Sequence, residues 1–229
     1  MKTKVAITRC RDYDVHRIKD SLYELIELLG GWSTFFPKGS KILLKPNLLS
    51  ARKAEKGITT HPNVVYAVAE SLLEYGVNVA FGDSPAGAHK GVKRVHVNTG
   101  MEEVSQKLSI PLVNFEKSGA HQFESNGFDL KIARVLDEFD YIINLPRLKT
   151  HSLMLYTGAL KNMYGIVPGF QKTEYHKLYP KPKDFGRLLV EIYNSRKPVL
   201  NIMDAITGME GDGPSSGELR YDVGLLIVS

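Results

Sequence analysis

Two hydrophobic patterns alternate along the chain. Short continuous apolar runs, such as the one at residues 42–44, are typical of strands that are buried on both faces. Between them, apolar residues recur every three or four positions, as they do in amphipathic helices. The runs predict strands at residues 4–9, 40–46, 78–83, 111–115, 141–145, 199–205 and 223–228. The periodic stretches predict helices that begin near Val15 and Pro62 and helices at residues 101–108 and 184–193.

The remaining segments have weaker sequence patterns. They predict an antiparallel hairpin at residues 121–133, a short helix at 157–164, a loop or lid at 168–182 and a glycine-rich loop at 208–217. Strands that alternate with helices predict an α/β fold, with a mostly parallel sheet, helices on both faces and the small hairpin as an insertion. We expect residues 1–229 to form one domain. Because such folds normally continue with another helix, we also expect a truncated C-terminus, and an apolar face left uncovered there would favour a homodimer.

Composition narrows the class of protein. The hydrophobic fraction of 43% and the charged fraction of 24% are typical of a soluble globular protein. The sequence has neither a signal peptide nor a transmembrane segment, so we expect a cytoplasmic protein without a membrane partner. Cys10 is the only cysteine, which excludes a disulfide framework and a cysteine-ligated iron–sulfur cluster within this chain. The net charge of +5 comes without a basic block, which argues against nucleic-acid binding.

Residues able to carry chemistry follow several of the predicted strands. In open α/β sheets, ligands bind outside the carboxyl ends of the strands, which meet at one edge. The residues that fall there are Lys45 and Asn47, Asp83 and Ser84, Arg147, Lys149 and His151, and Asp204 and Glu210. We therefore predict one site at this edge, although turn and strand-end roles for Lys45 and Asp83 stay open.

The richest set of candidate ligands lies between residues 144 and 165. Arg147, Lys149 and Lys161 suit an anion such as a carboxylate or phosphate. Asn162 adds an amide, and Gly158 allows the backbone to approach a ligand closely. Together with Lys45, Asn47 and Ser84, these residues predict a site for a small anionic ligand. The alternative is a basic surface loop.

Histidines and carboxylates near the same edge suggest proton transfer. His61 or His151 would move the proton, and Asp83, Asp204 or Glu210 would orient the histidine or complete an acid–base pair. The same carboxylates alternatively neutralise the lysines, or bind a divalent metal together with a histidine. His61, which precedes a proline, alternatively caps a helix. We treat the remaining histidines as surface or structural residues: His16, His89, His96, His121 and His176.

Six short motifs, taken in order, resemble the DUF362 family. They are KPNLL at 45–49, THP at 60–62, GDSP at 82–85, LPRLKTH at 145–151, GALKNMYG at 158–165 and DxxxGMEGxGP at 204–214. The family is uncharacterised, and the resemblance implies that longer members carry a ferredoxin-like tail with two 4Fe-4S motifs. This chain lacks those cysteines, so the cofactor stays unknown. A remote fold-level likeness to the nickel-pincer lactate racemase group suggests an anionic substrate gripped by cations and histidines.

Three hypotheses for function follow. The first is an enzyme acting on a small anionic metabolite, and one form of this hypothesis is redox chemistry with electrons from an iron–sulfur tail or a ferredoxin-like partner. The second is a non-catalytic module that docks an anionic ligand or a redox protein through a flat basic face. The third, nucleic-acid binding, predicts a basic stripe and a steep dependence on salt.

Overall fold

The computed structural model describes residues 4–85 and 91–229. Its strands are β1 Ala6–Arg9, β2 Lys41–Pro46, β3 Asn78–Asp83, β4 Leu112–Asn114, β5 Ala120–Ser125, β6 Phe128–Ala133, β7 Tyr141–Leu145, β8 Arg147–His151, β9 Leu155–Thr157, β10 Leu200–Glu210, β11 Glu218–Arg220 and β12 Leu225–Val228. Its α-helices are α1 Val15–Leu28, α2 Pro62–Tyr75, α3 Val92–Asn98, α4 Met101–Leu108, α5 Ala159–Asn162, α6 Gln171–Leu178 and α7 Pro182–Ser195. The predicted α/β class is confirmed.

The main sheet has the strand order β1-β12-β10-β7-β2-β3-β4. From β10 to β4, each strand runs parallel to its neighbour. Strand β12 is antiparallel to both β1 and β10. Strands β5 and β6 form a separate antiparallel hairpin, with Asn126 in the left-handed region at the turn. The parallel strands bring the ends of β2, β3 and β7 to one edge, as the sequence predicts.

Helices cover both faces of the central strands. Ile42 and Leu44 on β2 join one hydrophobic core with α1, α2, α3 and α4. Leu43, between them, joins a second core with α6, α7 and the hairpin. Side chains of a strand point alternately to opposite faces, so these two cores account for the continuous apolar run in β2.

Two predicted loops contain regular structure over part of their length. The segment at 168–182 contains α6, which the hairpin holds in place: the Tyr175 hydroxyl donates to Asp129 O at 2.7 Å and accepts from Lys131 N at 2.9 Å. The predicted loop at 208–217 begins inside β10, because Glu210 still pairs with Glu218 of β11. The first prediction failed because the hairpin, which is distant in sequence, stabilises α6. The second was correct for residues 211–217, which contain neither helix nor strand. Helix α3 and strands β8, β9 and β11 were not predicted.

One edge of the sheet leaves apolar side chains uncovered. Val5 and Ile7 are 56% and 57% exposed, and Ile7 lies opposite Ile227 of β12. The homodimer expected from an uncovered apolar face stays a prediction. Among residues 4–85 and 91–229, no helix combines the length and the hydropathy that crossing a bilayer requires.

Candidate functional site

A cavity of about 190 Å³ opens at the carboxyl ends of the parallel strands. Strands β2 and β3 contribute the residues at or just after their ends, β8 contributes one face, and α5 and α6 close the opposite side. Its polar lining includes Asn47, Asp83, Ser84, Arg147, Lys149, His151, Lys161, Asn162, Lys172 and His176. Gly158, also predicted as a ligand-binding residue, lies in the same lining.

A buried ion pair lies under one side of the cavity. Lys45 Nζ lies 2.7 Å from Asp83 Oδ1, and Lys45 has no exposed surface. The Asp83 carboxylate also accepts from the backbone N–H groups of Leu48 at 2.8 Å and Ser84 at 2.9 Å. Lys45 is therefore not a solvated strand end, and it supports the cavity through Asp83. A Cβ at Gly165 would overlap Asp83 and lie 2.6 Å from Lys45 Nζ, so only glycine allows this close approach.

A chain of amide side chains fixes α5 against the sheet. Asn162 Nδ2 donates to Lys45 O at 3.0 Å and to Asn144 Oδ1 at 2.7 Å. Its Oδ1 accepts from Asn47 Nδ2 at 3.0 Å. Asn144 Nδ2 in turn donates to Ala159 O at 2.9 Å. Because these amides are mutually satisfied, they hold the helix that carries Lys161 in one position.

A second buried ion pair joins Arg147 and Asp204. Arg147 Nη1 lies 2.6 Å from Asp204 Oδ2, and their side chains are 2% and 0% exposed. The Tyr13 hydroxyl donates to Asp204 Oδ1 at 3.0 Å and also contacts the Arg147 guanidinium. Thr207 completes the cluster beside Arg147. Burial and then the charge of Asp204 raise the pKa of Tyr13, so it stays a neutral donor.

Three predicted catalytic residues do not line the cavity. Asp204 lies behind Arg147, which lines the cavity, and its carboxylate is paired with that guanidinium. The His61 ring stacks on Tyr13 with centroids 3.8 Å apart, and its Nδ1 accepts from Asn63 N at 3.2 Å. His61 thus caps α2, the alternative considered from the sequence, and burial lowers its pKa to about 4. Glu210 is exposed and pairs with Arg220 at 3.0 Å. The expected convergence of all four strand ends is therefore wrong for the carboxylates of β10.

Lys149 and Lys172 line the cavity while bonding to neutral acceptors. Lys149 Nζ donates to Asn47 Oδ1 at 2.9 Å and to Ile58 O at 2.5 Å. Lys172 Nζ donates to Ser84 O at 2.6 Å and Val167 O at 2.9 Å, and it also contacts Ser84 Oγ. Neither ammonium group forms a salt bridge within residues 4–85 and 91–229.

Lys161 has fewer contacts still. Its Nζ has no hydrogen bond and no ion pair with any residue in the described ranges. It lies 5.5 Å from the ring centroid of Tyr164 and 5.8 Å from that of Phe185. Within the described ranges, Lys161 Nζ therefore faces the cavity rather than a hydrogen-bond partner.

Burial lowers the pKa values of all three lysines. The pKa of Lys149 falls to about 7, with the charge of Lys161 as the next cause. The pKa of Lys161 falls to about 8 through burial, and that of Lys172 falls to about 8 although Asp83 partly offsets the shift. A buried cation without a counter-charge loses hydration and gives up its proton more readily.

His151 faces the cavity as a neutral ring. Its Nδ1 accepts from the backbone N–H groups of Leu153 at 3.1 Å and Met154 at 3.3 Å. Burial and the neighbouring Lys161 lower its pKa to about 4. Since Nδ1 is an acceptor, the ring proton lies on Nε2, and His151 offers a ligand a hydrogen-bond donor.

Sequence reasoning missed two residues of α6. Lys172 was assigned to a loop, and His176 was treated as structural. They are four positions apart, the spacing that places side chains on one face of a helix, and both line the cavity. That spacing was the available signal. Of the other histidines set aside, His89 lies outside the described residues.

No metal site is evident in the part of the chain that the structure describes. Within residues 4–85 and 91–229, no group of three or more His, Cys, Asp or Glu side chains is arranged to hold a metal ion. The divalent metal considered from the sequence therefore has no described ligand set, and the charged residues of the cavity lining are mainly cations.

The fold and cavity define an α/β protein with a lysine-rich site at the carboxyl ends of its parallel strands. The chain belongs to the DUF362 family, a domain of unknown function whose profile matches residues 42–229. It is 38% identical over 232 residues to the thylakoid-associated protein sll1697 of Synechocystis sp. (strain ATCC 27184 / PCC 6803 / Kazusa), covering 100% of this chain and 71% of that protein. The family predicted from the six motifs is thereby confirmed.

A solved structure shares the fold. The lactate racemase apoprotein from Thermoanaerobacterium thermosaccharolyticum superposes with a TM-score of 0.57 at 11% sequence identity. The superposition covers 95% of this chain and 54% of the racemase chain, so the chain spans about half the length of that protein. At this identity the likeness shows the fold alone.

Proposed function

We propose that the cavity binds a small carboxylate or phosphate anion and that the protein is an enzyme acting on it. One observation carries the proposal: Lys149, Lys161 and Lys172 face a single cavity, and within the described ranges none has a carboxylate partner. The other two cations of the site, Lys45 beneath the cavity and Arg147 in its lining, are already paired with carboxylates. The cations of the site that have no carboxylate partner therefore all face the cavity, where a ligand can reach them.

The depressed pKa values support an anionic ligand. Holding these ammonium groups without counter-charges costs free energy, and a bound anion would recover part of that cost. Binding should then favour the protonated lysines and be accompanied by proton uptake near pH 8. Ionisable groups whose pKa values are shifted towards neutrality, gathered in a cleft, are also what acid–base chemistry requires, which supports an enzyme.

The depth of the lysines argues against the docking alternative. Lys149 is 2% exposed and Lys172 is 8% exposed. A docking face for a redox protein or a nucleic acid requires cations that reach a flat partner, and these do not. The redox form of the enzyme hypothesis, with electrons supplied by an iron–sulfur tail or partner, rests on the family resemblance alone.

Calorimetry tests the anion site. Pyruvate and inorganic phosphate are titrated separately into the protein at pH 7. We expect at least one of them to bind, and we expect the double variant Lys149→Ala/Lys161→Ala to lose about tenfold or more in affinity. Lys177→Ala, an exposed lysine of the same helix as Lys172, serves as the control. Unfolding curves establish that each variant folds, and unchanged binding by the double variant would contradict the assignment.

A further inference from the structure

Lys161 differs from every other lysine of the site. Lys45 is held by Asp83, and Lys149 and Lys172 donate to neutral acceptors. Among the residues that the structure describes, nothing accepts a hydrogen bond from Lys161 Nζ, which lies beside the rings of Tyr164 and Phe185 and lines the cavity. Its nitrogen is therefore free to react with a molecule that enters.

We propose that Lys161 is a covalent catalytic residue that forms an imine with the carbonyl group of a small 2-oxo acid. The inference rests on the proposed function, because Lys149 and Lys172 would hold the carboxylate of the same molecule. A 2-oxo acid fits since it carries, on adjacent carbons, an anion for those two cations and an electrophile for a third, nucleophilic amine.

An amine attacks a carbonyl only when it is unprotonated. An ordinary lysine is almost entirely protonated at neutral pH. Burial beside the two rings lowers the pKa of Lys161 to about 8, so a substantial fraction is neutral at pH 8. Lys149 and Lys172 already donate to protein acceptors, whereas Lys161 Nζ has none in the described ranges, so geometry selects Lys161 as the nucleophile. A carboxylate bound beside Lys149 would raise the low pKa of that lysine and hold it as an ammonium ion.

The step balances without an oxidant or a reductant. The Nζ lone pair forms a bond to the carbonyl carbon, and a proton passes from nitrogen to the carbonyl oxygen to give a carbinolamine. The hydroxyl takes up a second proton and leaves as water while the nitrogen lone pair forms the C=N bond, and loss of the remaining N–H proton gives the imine. His176 stacks on the same Phe185 ring at 4.4 Å and lines the cavity, so it is placed to relay the proton. The imine draws electrons from the adjacent carbon and so favours breaking a bond to it.

Borohydride trapping tests the imine. The full chain is incubated with pyruvate at pH 8, reduced with sodium borohydride, and measured by intact mass and peptide mapping. We expect one reduced pyruvate per chain, on Lys161, at about tenfold or more over any other lysine. Lys183→Arg, an exposed lysine on α7, should keep the adduct.

The variant Lys161→Arg separates the two proposals. Arginine keeps the positive charge but is not a nucleophile, so we expect pyruvate to bind within about threefold of the unmodified protein while the adduct disappears. Pyruvate binding without an adduct, or adducts spread over surface lysines, would overturn the imine and leave the anion site intact. A failure of both pyruvate and phosphate to bind in calorimetry would overturn the proposed function, and the imine with it. Peptide mapping of the unmodified protein decides the imine even if the variant does not fold.

Discussion

The cations of this site fall into two groups that differ in their partners. Lys45, beneath the cavity, and Arg147, in its lining, each form a salt bridge with a buried carboxylate, at 2.7 Å and 2.6 Å. On its wall, Lys149, Lys161 and Lys172 have neutral partners or none within the described ranges. A buried cation that is paired with a carboxylate of the same chain contributes to the structure, because an unpaired buried charge destabilises the folded state. Charge left unmatched on a cavity wall is available to a ligand.

The largest expected effect comes from breaking a matched pair. Lys45→Met leaves the Asp83 carboxylate buried without its cation, and we expect a loss of about 3–5 kcal/mol in the free energy of unfolding. Urea unfolding at pH 7 measures it. Lys107→Met removes an exposed pair with Glu103, so its unfolding curve should nearly coincide with that of the unmodified protein. Equal effects in the two variants would remove the distinction between matched and unmatched charges.

The next effect comes from crowding the matched pair without changing its charge. Gly165→Ala places a methyl group against Asp83 and Lys45, and we expect a loss of about 1–3 kcal/mol in stability. The control is Gly91→Ala, where a Cβ would meet nothing within 4 Å. A thermal unfolding scan compares them. A Gly165→Ala protein as stable as the control would mean that the close approach is not required.

The unmatched lysines should make anion binding depend on pH. With pKa values of about 7 for Lys149 and about 8 for Lys161, their charges are present below these values and lost as pH rises through them. We expect pyruvate affinity to fall about tenfold between pH 7 and pH 9, and calorimetry at several pH values measures the fall. Pyruvate stays a monoanion throughout this range. Lys161→Arg should weaken the dependence without abolishing it, because Lys149 still titrates. A flat profile for the unmodified protein would contradict the prediction.

The smallest effect should come from removing an unmatched charge. Lys161→Met leaves no hydrogen-bond partner unsatisfied in the described ranges. We therefore expect the free energy of unfolding at pH 6 to be unchanged or raised by about 1 kcal/mol. The pKa of Lys161 is depressed in the folded protein, so the unfolded chain binds more protons between pH 8 and 10.5. Any gain from the variant should therefore shrink across that interval. Urea unfolding at pH 6 and pH 10 measures it, and a large loss at pH 6 would show that Lys161 is structural.

Local patterns were sufficient to predict most of the fold. The apolar run at 42–44 and the helical periodicity after Val15 reflect burial that each segment carries in its own sequence. The position of Lys45, Asp83 and Lys149 near strand ends was sufficient to predict that they lie together, because parallel strands end at one edge.

The partners of these residues could not be predicted in the same way. Tyr13 contacts Asp204 only after the fold brings distant segments together, and nothing in the sequence around Tyr13 marks it. Helix α6 has a weak apolar stripe and depends on the bonds that Tyr175 makes with the hairpin. The sequence could not decide between the two roles considered for His61, because a histidine can either cap a helix or transfer a proton.

The hydrogen bond between Tyr13 and Asp204 affects the order in which the chain folds. The two residues are separated by 191 positions, and β1 pairs only with β12 in the main sheet as described. During synthesis from the N-terminus, β2, α2 and β3 can associate as soon as they emerge, because their contacts are local. Strand β1 and Tyr13 must wait for β10 and β12. Strand β1 thus leaves the ribosome before β2, α2 and β3 but pairs later than they do, and a nascent chain exposes it until β12 has emerged.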